Sequence, residues 1–280
     1  MLKQSALFVA AFLSIIIETN AQRIITAGSA NTETVCALGL CDNIIASDKT
    51  SLYPAHIQQL PSIGYRTGIS AEGIISMKPT LVIADEDYVD DAVVTQLRDA
   101  DVKLVLVDRQ HSLEGALQAI TEIAQALGKE KEGERLIGKI KTDLSDAKTL
   151  LGKVTTQPKV VCVYNRGTGA ISAAGRDTFA NILQYVGATN AFPTIEGYKP
   201  LNTEALIAAN PEYYVLLESG FLSIGGIEGF IKVPGVAQTS GGQKKNIIAI
   251  EGIKLTNFGP RFGEAVKELV IKLHPELQAK

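Results

Sequence analysis

The feature that most constrains this chain is an internal repeat. Ser70-Ala-Glu-Gly-Ile-Ile-Ser-Met-Lys-Pro-Thr-Leu-Val-Ile aligns without gaps to Asn202-Thr-Glu-Ala-Leu-Ile-Ala-Ala-Asn-Pro-Glu-Tyr-Tyr-Val. In each copy an acid stands seven positions before a proline, Glu72 before Pro79 and Glu204 before Pro211. Ser70 and Asn202 are N-cap residue types two places ahead of the acid. That spacing puts each carboxylate in the first turn of a helix, where the macrodipole favours negative charge. Each proline ends its helix and turns the chain into a strand-like run. The chain therefore has two related halves.

The remaining pattern agrees. Strands are expected at Arg23-Ile-Ile-Thr-Ala, Asn43-Ile-Ile-Ala-Ser, Thr80-Leu-Val-Ile-Ala and Val102-Lys-Leu-Val-Leu-Val, then at Lys159-Val-Val-Cys-Val-Tyr, Glu212-Tyr-Tyr-Val-Leu-Leu and Asn246-Ile-Ile-Ala-Ile. Thr32 to Leu38 and Thr178 to Val186 read as helices stopped by Gly39 and Gly187. Strands alternating with helices imply βαβ units and mostly parallel sheets. From Ser112 to about Leu151, apolar residues recur at helical spacing (Leu113, Ala116, Leu117, Ile120, Ile123, Ala124, Leu127), pause at Gly128, and resume through Leu136, Ile137, Ile140 and Leu144. This segment predicts a helical span from one lobe to the other, a rigid connector that restricts hinge closure. The expected fold class is α/β: two lobes, residues 22–111 and 153–280, each with a mostly parallel sheet flanked by helices, joined by a long helical backbone over 112–152. The cleft between the lobes is the expected ligand site, because strand C-termini and helix N-termini face it.

Residues 1–21 read as a signal peptide. Lys3 precedes an apolar run from Ala6 to Ile17 broken only by Ser14, and small residues Thr19 and Ala21 stand where a signal peptidase reads them. The run is short for a membrane span, which needs roughly 20 apolar residues; a buried N-terminal helix is the alternative. No cysteine lies near the cut to carry a lipid anchor. The expectation is a soluble, exported, periplasmic protein. Cys36 and Cys41 flank Gly39, Cys162 is distant, and no pair has zinc-ligand spacing. They read as small apolar packing residues, with a disulfide open in an oxidising compartment.

A formal charge of −3 excludes a nucleic-acid binder that works by neutralising phosphates, and 46% hydrophobic residues excludes a disordered chain. The histidines, His56, His111 and His274, form no metal motif, and there is no Walker loop, nucleophile elbow or dinucleotide fingerprint. Ser29 and Ser70 have no advertised base. The acidic runs Asp85-Glu-Asp and Asp90-Asp91 read as solvated loops. An exported two-lobed chain without a catalytic set reads as a binder and not an enzyme.

Several stretches carry a family resemblance: Ile25-Thr-Ala-Gly-Ser-Ala-Asn-Thr-Glu, Thr50-Ser-Leu-Tyr-Pro, Leu60-Pro-Ser-Ile-Gly-Tyr-Arg-Thr-Gly-Ile-Ser-Ala-Glu-Gly, Ala174-Gly-Arg-Asp-Thr, Glu196-Gly-Tyr-Lys-Pro-Leu and Asn257-Phe-Gly-Pro-Arg. In these the chain resembles the periplasmic haem-binding proteins of haem ABC importers, within the helical-backbone class that includes cobalamin and siderophore carriers. The resemblance implies haem as transported ligand, not catalytic cofactor, an ABC permease dimer as membrane partner, no nucleic acid, and a monomer. It implies Tyr65 as the ligand to haem iron, a role suited to tyrosine with ferric iron, with Arg66 or another cation favouring the phenolate. Many relatives have Tyr-x-Arg, whereas this chain has Tyr65-Arg66-Thr67; Ser219 stands where a second arginine is common; Tyr164-Asn-Arg-Gly-Thr-Gly lacks the histidine some relatives use. The iron is accordingly expected to be five-coordinate or to take water as its sixth ligand. Arg166 and Arg176 are candidate propionate partners, the latter equally a solvent-facing charge at a helix start. Tyr198 is a candidate for the cleft wall; Phe221 and Phe258 read as core, His56 as a surface residue, and His111 and His274 as structural. Glu72 and Glu204 are implied to dock on permease arginines. A cobalamin or ferric-siderophore carrier, or a haem-handling or metal-dependent enzyme, are the competing readings.

Overall fold

A computed structural model describes residues 22–108, 112–165, 171–176, 178–256 and 258–278. The first lobe is built on strands β1 (Ile24–Ala27), β2 (Ile44–Ser47), β3 (Leu81–Asp85) and β4 (Leu104–Val107) and helices α1 (Ser29–Ala37), α2 (Ala71–Ser76) and α3 (Asp91–Asp99). Its sheet has the order β2-β1-β3-β4, with every pairing parallel. Side chains alternate across it, as strand geometry requires, except in β2, where the pairing with β1 shifts register between Ile44 and Ala46. Ile24, Ile44, Leu81 and Ile83 pack on one face with Val35 of α1, and Ile25, Ala46, Val82 and Ala84 on the other with Ile74 of α2 and Leu97 of α3.

Between the lobes run α4 (Leu113–Leu127) and α5 (Glu130–Leu151). Gly128, in the left-handed region at φ 65°, caps α4. Helix α4 is welded to the first lobe, where Ala119, Ile123, Ala124 and Leu127 share a core with β1 and β3. Helix α5 makes the crossing. Its Gly133 lies so near α4 that a methyl group there would sit 2.6 Å from Ala124 Cβ. Its far end places Ala147 in the core of the second lobe.

The second lobe comprises β5 (Lys159–Tyr164), β6 (Ser172–Ala174), β7 (Thr189–Asn190), β8 (Tyr198–Pro200), α6 (Thr203–Ala209), β9 (Tyr213–Leu217), α7 (Glu218–Ser223), α8 (Gly226–Ile231), α9 (Ser240–Gln243), β10 (Ile247–Ile250), α10 (Gly252–Thr256) and α11 (Phe262–Leu273). The order β10-β9-β5-β6-β8 is mixed, because β6 runs antiparallel to both β5 and β8. Both repeat copies form as expected: Ser70 Oγ accepts from Gly73 N, and Asn202 Oδ1 from Ala205 N. Both also hold the residue before the proline in the left-handed region, Lys78 at φ 48° and Asn210 at φ 44°.

Two expectations need correction. The segment after Thr178 is not α-helix but 3₁₀ turns over Phe179–Tyr185. Its buried positions, Phe179, Ala180, Ile182 and Leu183, recur every third residue, which matches three residues per turn. Cys36 and Cys41 are not simple packing residues; they form a disulfide that staples the end of α1 to the following turn. Cys162 is a free, fully buried thiol whose pKa is pushed far up by burial.

Candidate ligand-binding cleft

The wall contributed by the first lobe is a tight loop before α2. Gly64 adopts φ +109°, and a side chain there would meet the Gly68 carbonyl oxygen at 2.5 Å, so only glycine fits. Arg66 takes φ +43°, a conformation that costs a residue with Cβ about 1–2 kcal/mol and clusters at ligand clamps. Its guanidinium lies 4.4 Å from the centre of the Tyr88 ring and 3.4 Å from Asp87. It lies 6.0 Å from the centre of the Tyr65 ring, and Tyr65 itself is 45% exposed. Arg66 is thus engaged by Tyr88 and Asp87, with Nε buried and unbonded among the described atoms. Burial pushes the Tyr88 phenol up. Beneath this wall, Asp48 accepts hydrogen bonds from Gly28 N at 3.0 Å, Ser51 Oγ at 2.7 Å and Thr50 Oγ1 at 2.6 Å, fixing the strand end that presents Thr50 and Leu52.

The opposite wall is aromatic and apolar. Tyr164, at the end of β5, packs against Tyr198 of β8 with ring centres 4.7 Å apart. Burial raises the Tyr198 phenol. Asn165 Nδ2 donates to Gly220 O at 3.0 Å and ties the end of β5 to α7. A side chain on Gly220 would collide with Asn165 Oδ1. Thr50, Leu52 and Arg66 on one side face Tyr164, Tyr198, Leu217, Ser219 and Ile253 on the other across a cavity of about 1030 Å³.

The structure brings Arg66, Tyr198 and Ser219 together in this cleft, with Tyr65 adjacent in chain to Arg66. Thr67 lies in the same turn, Arg66–Gly68. It does not bring Arg176 there: a bridge to Glu196 and an ion pair with its carboxylate hold Arg176 at a separate surface depression. Arg166 and His111 lie outside the described residues. Glu72 and Glu204 are exposed in the first turns of α2 and α6. His56 is exposed with Nε2 3.4 Å from Cys41 Sγ, and His274 is fully buried with Nε2 2.9 Å from Val186 O. Phe258 stacks on Phe262, and Phe221 packs into the core of the second lobe.

The sequence left one cluster unread. Arg261, at the start of α11, reaches across to Glu33 of α1, 228 residues earlier. It also grips Glu251 and lies over the ring of Tyr53. Glu33 and Arg261 each stand in a marker stretch, but no local spacing couples residues so far apart. Glu251 is held below the ordinary carboxylate range by hydrogen bonds from Arg261, whereas burial pushes Glu33 above it despite the same partner.

Comparison with known proteins accords with this architecture. Residues 24–253 match the model of the periplasmic binding protein family. The periplasmic heme-binding protein RhuT from Roseiflexus sp. RS-1 superposes with a TM-score of 0.85 at 36% identity, covering 92% of this chain and 100% of RhuT. The heme-binding protein BhuT, solved in complex with two hemes, gives 0.83 at 32% identity, covering 91% of this chain and 99% of its own. YvrC of Bacillus subtilis, described as an uncharacterized ABC transporter substrate-binding lipoprotein, is 26% identical over 93% of this chain and 82% of its own length. The chain belongs to the periplasmic binding protein family, whose fold and structural neighbours are those of substrate-binding transport proteins and not of enzymes.

Proposed function

We propose that this protein captures haem in the cleft between its lobes and delivers it to an ABC permease dimer. The observation that carries the reading is the cleft itself: an aromatic wall of Tyr164 and Tyr198 faces a wall bearing a cation, Arg66, and the residue before Arg66 in the chain is an exposed phenol, Tyr65. A flat apolar macrocycle with ionised side groups and a ferric centre fits that division of labour. The macrocycle covers the rings, Arg66 meets a propionate, and the Tyr65 oxygen binds iron as the phenolate. A free phenol has a pKa near 10, so iron must displace its proton. The likeness to RhuT and BhuT supports the ligand class. Export through cleavage of residues 1–21, action as a monomer, and docking through Glu72 and Glu204 belong to the same proposal.

Titrating the mature protein with hemin tests it. The expected result is a saturable Soret band; replacing Tyr65 by Ala should remove its ligand-to-metal signature and weaken binding by about 100-fold, roughly 2.7 kcal/mol. Unchanged hemin binding by Tyr65→Ala overturns the iron-ligand assignment, and preferential binding of cobalamin by the parent overturns the ligand. Docking is tested by charge reversal at both glutamates: Glu72→Lys with Glu204→Lys should abolish stimulation of the permease ATPase while leaving the hemin titration unchanged.

A further inference from the structure

Helix α1 is buried yet polar: Ser29, Asn31, Thr32, Glu33 and Thr34 are all inaccessible. Most of these groups are satisfied within the first lobe. Thr32 Oγ1 lies 2.7 Å from both Thr26 Oγ1 and Ser51 Oγ, and Thr34 Oγ1 donates to Ala30 O at 2.6 Å. Glu33 differs. Its side chain is 4% exposed, and the cation that meets it comes from the other lobe. Arg261 Nε donates to Glu33 Oε2 at 2.8 Å and Nη2 to Oε1 at 2.7 Å, a two-pronged grip. The other edge of the same guanidinium donates to Glu251 from Nη1 at 2.8 Å and from Nη2 at 2.6 Å. Its flat face lies 3.7 Å from the centre of the Tyr53 ring.

Two of the three arms of this cluster, Tyr53 and Glu251, are chain neighbours of cleft residues. Tyr53 follows Leu52, and Glu251 precedes Gly252 and Ile253, all three of which line the cavity. Two residues before Arg261, Gly259 rests on α1, where an added methyl group would touch Ala30 Cβ at 3.4 Å. Glu33, Tyr53 and Arg261 themselves line a separate depression, and the cluster joins the chain segments that carry Leu52 on one wall and Gly252 and Ile253 on the other. Without the cation, two carboxylates would face each other across the lobe boundary, one of them desolvated, and that arrangement repels.

We propose that Arg261 is a positioning residue for ligand capture: by joining Glu33 and Tyr53 of one lobe to Glu251 of the other, it sets the separation of the cleft walls before the ligand arrives. A cleft already at the spacing of a flat ligand is a preorganised site, and affinity falls in proportion to the fraction of molecules that hold the competent spacing. The affinity arm rests on the haem reading above; the spacing arm does not.

The test pairs these two measurements on the mature full chain. Spin labels at Gln96→Cys and Gln238→Cys, exposed positions on opposite lobes, report the distance between lobes by pulsed dipolar spectroscopy. The parent should give one narrow distribution and Arg261→Met a broad one. Arg261→Lys, which keeps the charge but loses the fork, should lie between. Glu251→Gln, at the more exposed carboxylate, serves if Arg261→Met does not fold. Hemin affinity should fall about tenfold in Arg261→Met, the change expected if a tenth of molecules hold the competent spacing. The Soret position and the Tyr65 signature should stay unchanged, and Arg261→Lys should recover part of the affinity. A distribution as narrow in Arg261→Met as in the parent overturns the proposal, as does a broadened one with unaltered hemin affinity. A parent that binds no hemin defeats the haem reading, while the distance measurement still decides the role of Arg261.

Discussion

The two repeat copies and the two cleft walls make opposite comparisons. Around Glu72 and Glu204 the lobes are nearly interchangeable, with an N-cap two residues before the acid, a left-handed residue before the proline, and a central parallel strand after it. At the cleft the lobes diverge. One wall is a strained polar loop holding Arg66; the other is a tyrosine pair backed by Asn165 and α7. The duplication keeps the parts that build the scaffold, with one exposed acid in each copy. The cleft between the copies is bounded by two unlike surfaces.

The equivalence of the copies can be broken first at their cores. Ile74 and Leu206 occupy the same position of the repeat, and both are essentially inaccessible. Truncating either to Ala should cost about 2–5 kcal/mol in denaturant unfolding of the full chain. Losses differing by more than about 2 kcal/mol would show that one copy is better able to collapse around the cavity. Smaller effects are expected at the caps. Ser70→Ala and Asn202→Ala should each cost about 1 kcal/mol. The larger loss should fall at Asn202, whose bond to Ala205 N is 2.9 Å against 3.3 Å from Ser70 to Gly73 N; the reverse order would remove cap geometry as the cause.

The smallest effect concerns acid. Glu251, lowered by the hydrogen bonds from Arg261, contributes stability that is present above its unfolded pKa and is lost as pH falls through the lowered value. Glu33, raised by burial, works the other way: its contribution is present below the unfolded pKa and is lost as pH rises through the raised value. The two slopes oppose each other around the ordinary carboxylate pKa of about 4.3. Glu33→Gln removes one of them, so denaturant midpoints of that variant should fall more steeply on acidification than those of the parent. Parallel midpoints would show that the two carboxylates do not titrate as described.

Legibility followed range. The caps, the prolines and the alternation of strands with helices could be read because each depends on residues within one turn or one pleat. The pattern after Thr178 does not tell 3₁₀ turns from α-helix, because a short apolar run fits periods of 3.0 and 3.6 almost equally. A separation of five residues between Cys36 and Cys41 is compatible with a bridge without requiring one, so the disulfide is not legible in the sequence. Sequence alone leaves Arg176 open between a propionate partner and a solvent-facing charge; its bridge and ion pair with Glu196 hold it away from the cleft.

By itself the sequence determined two α/β halves, their shared acid-to-proline unit and the helical span between them, because hydrophobic period, caps and prolines act over a few residues. Only the tertiary structure decided which side chains share the cleft, and that Glu33 meets Arg261. Those pairings join residues up to 228 positions apart. A buried charge finds its partner by where the lobes come to rest, which no local pattern records.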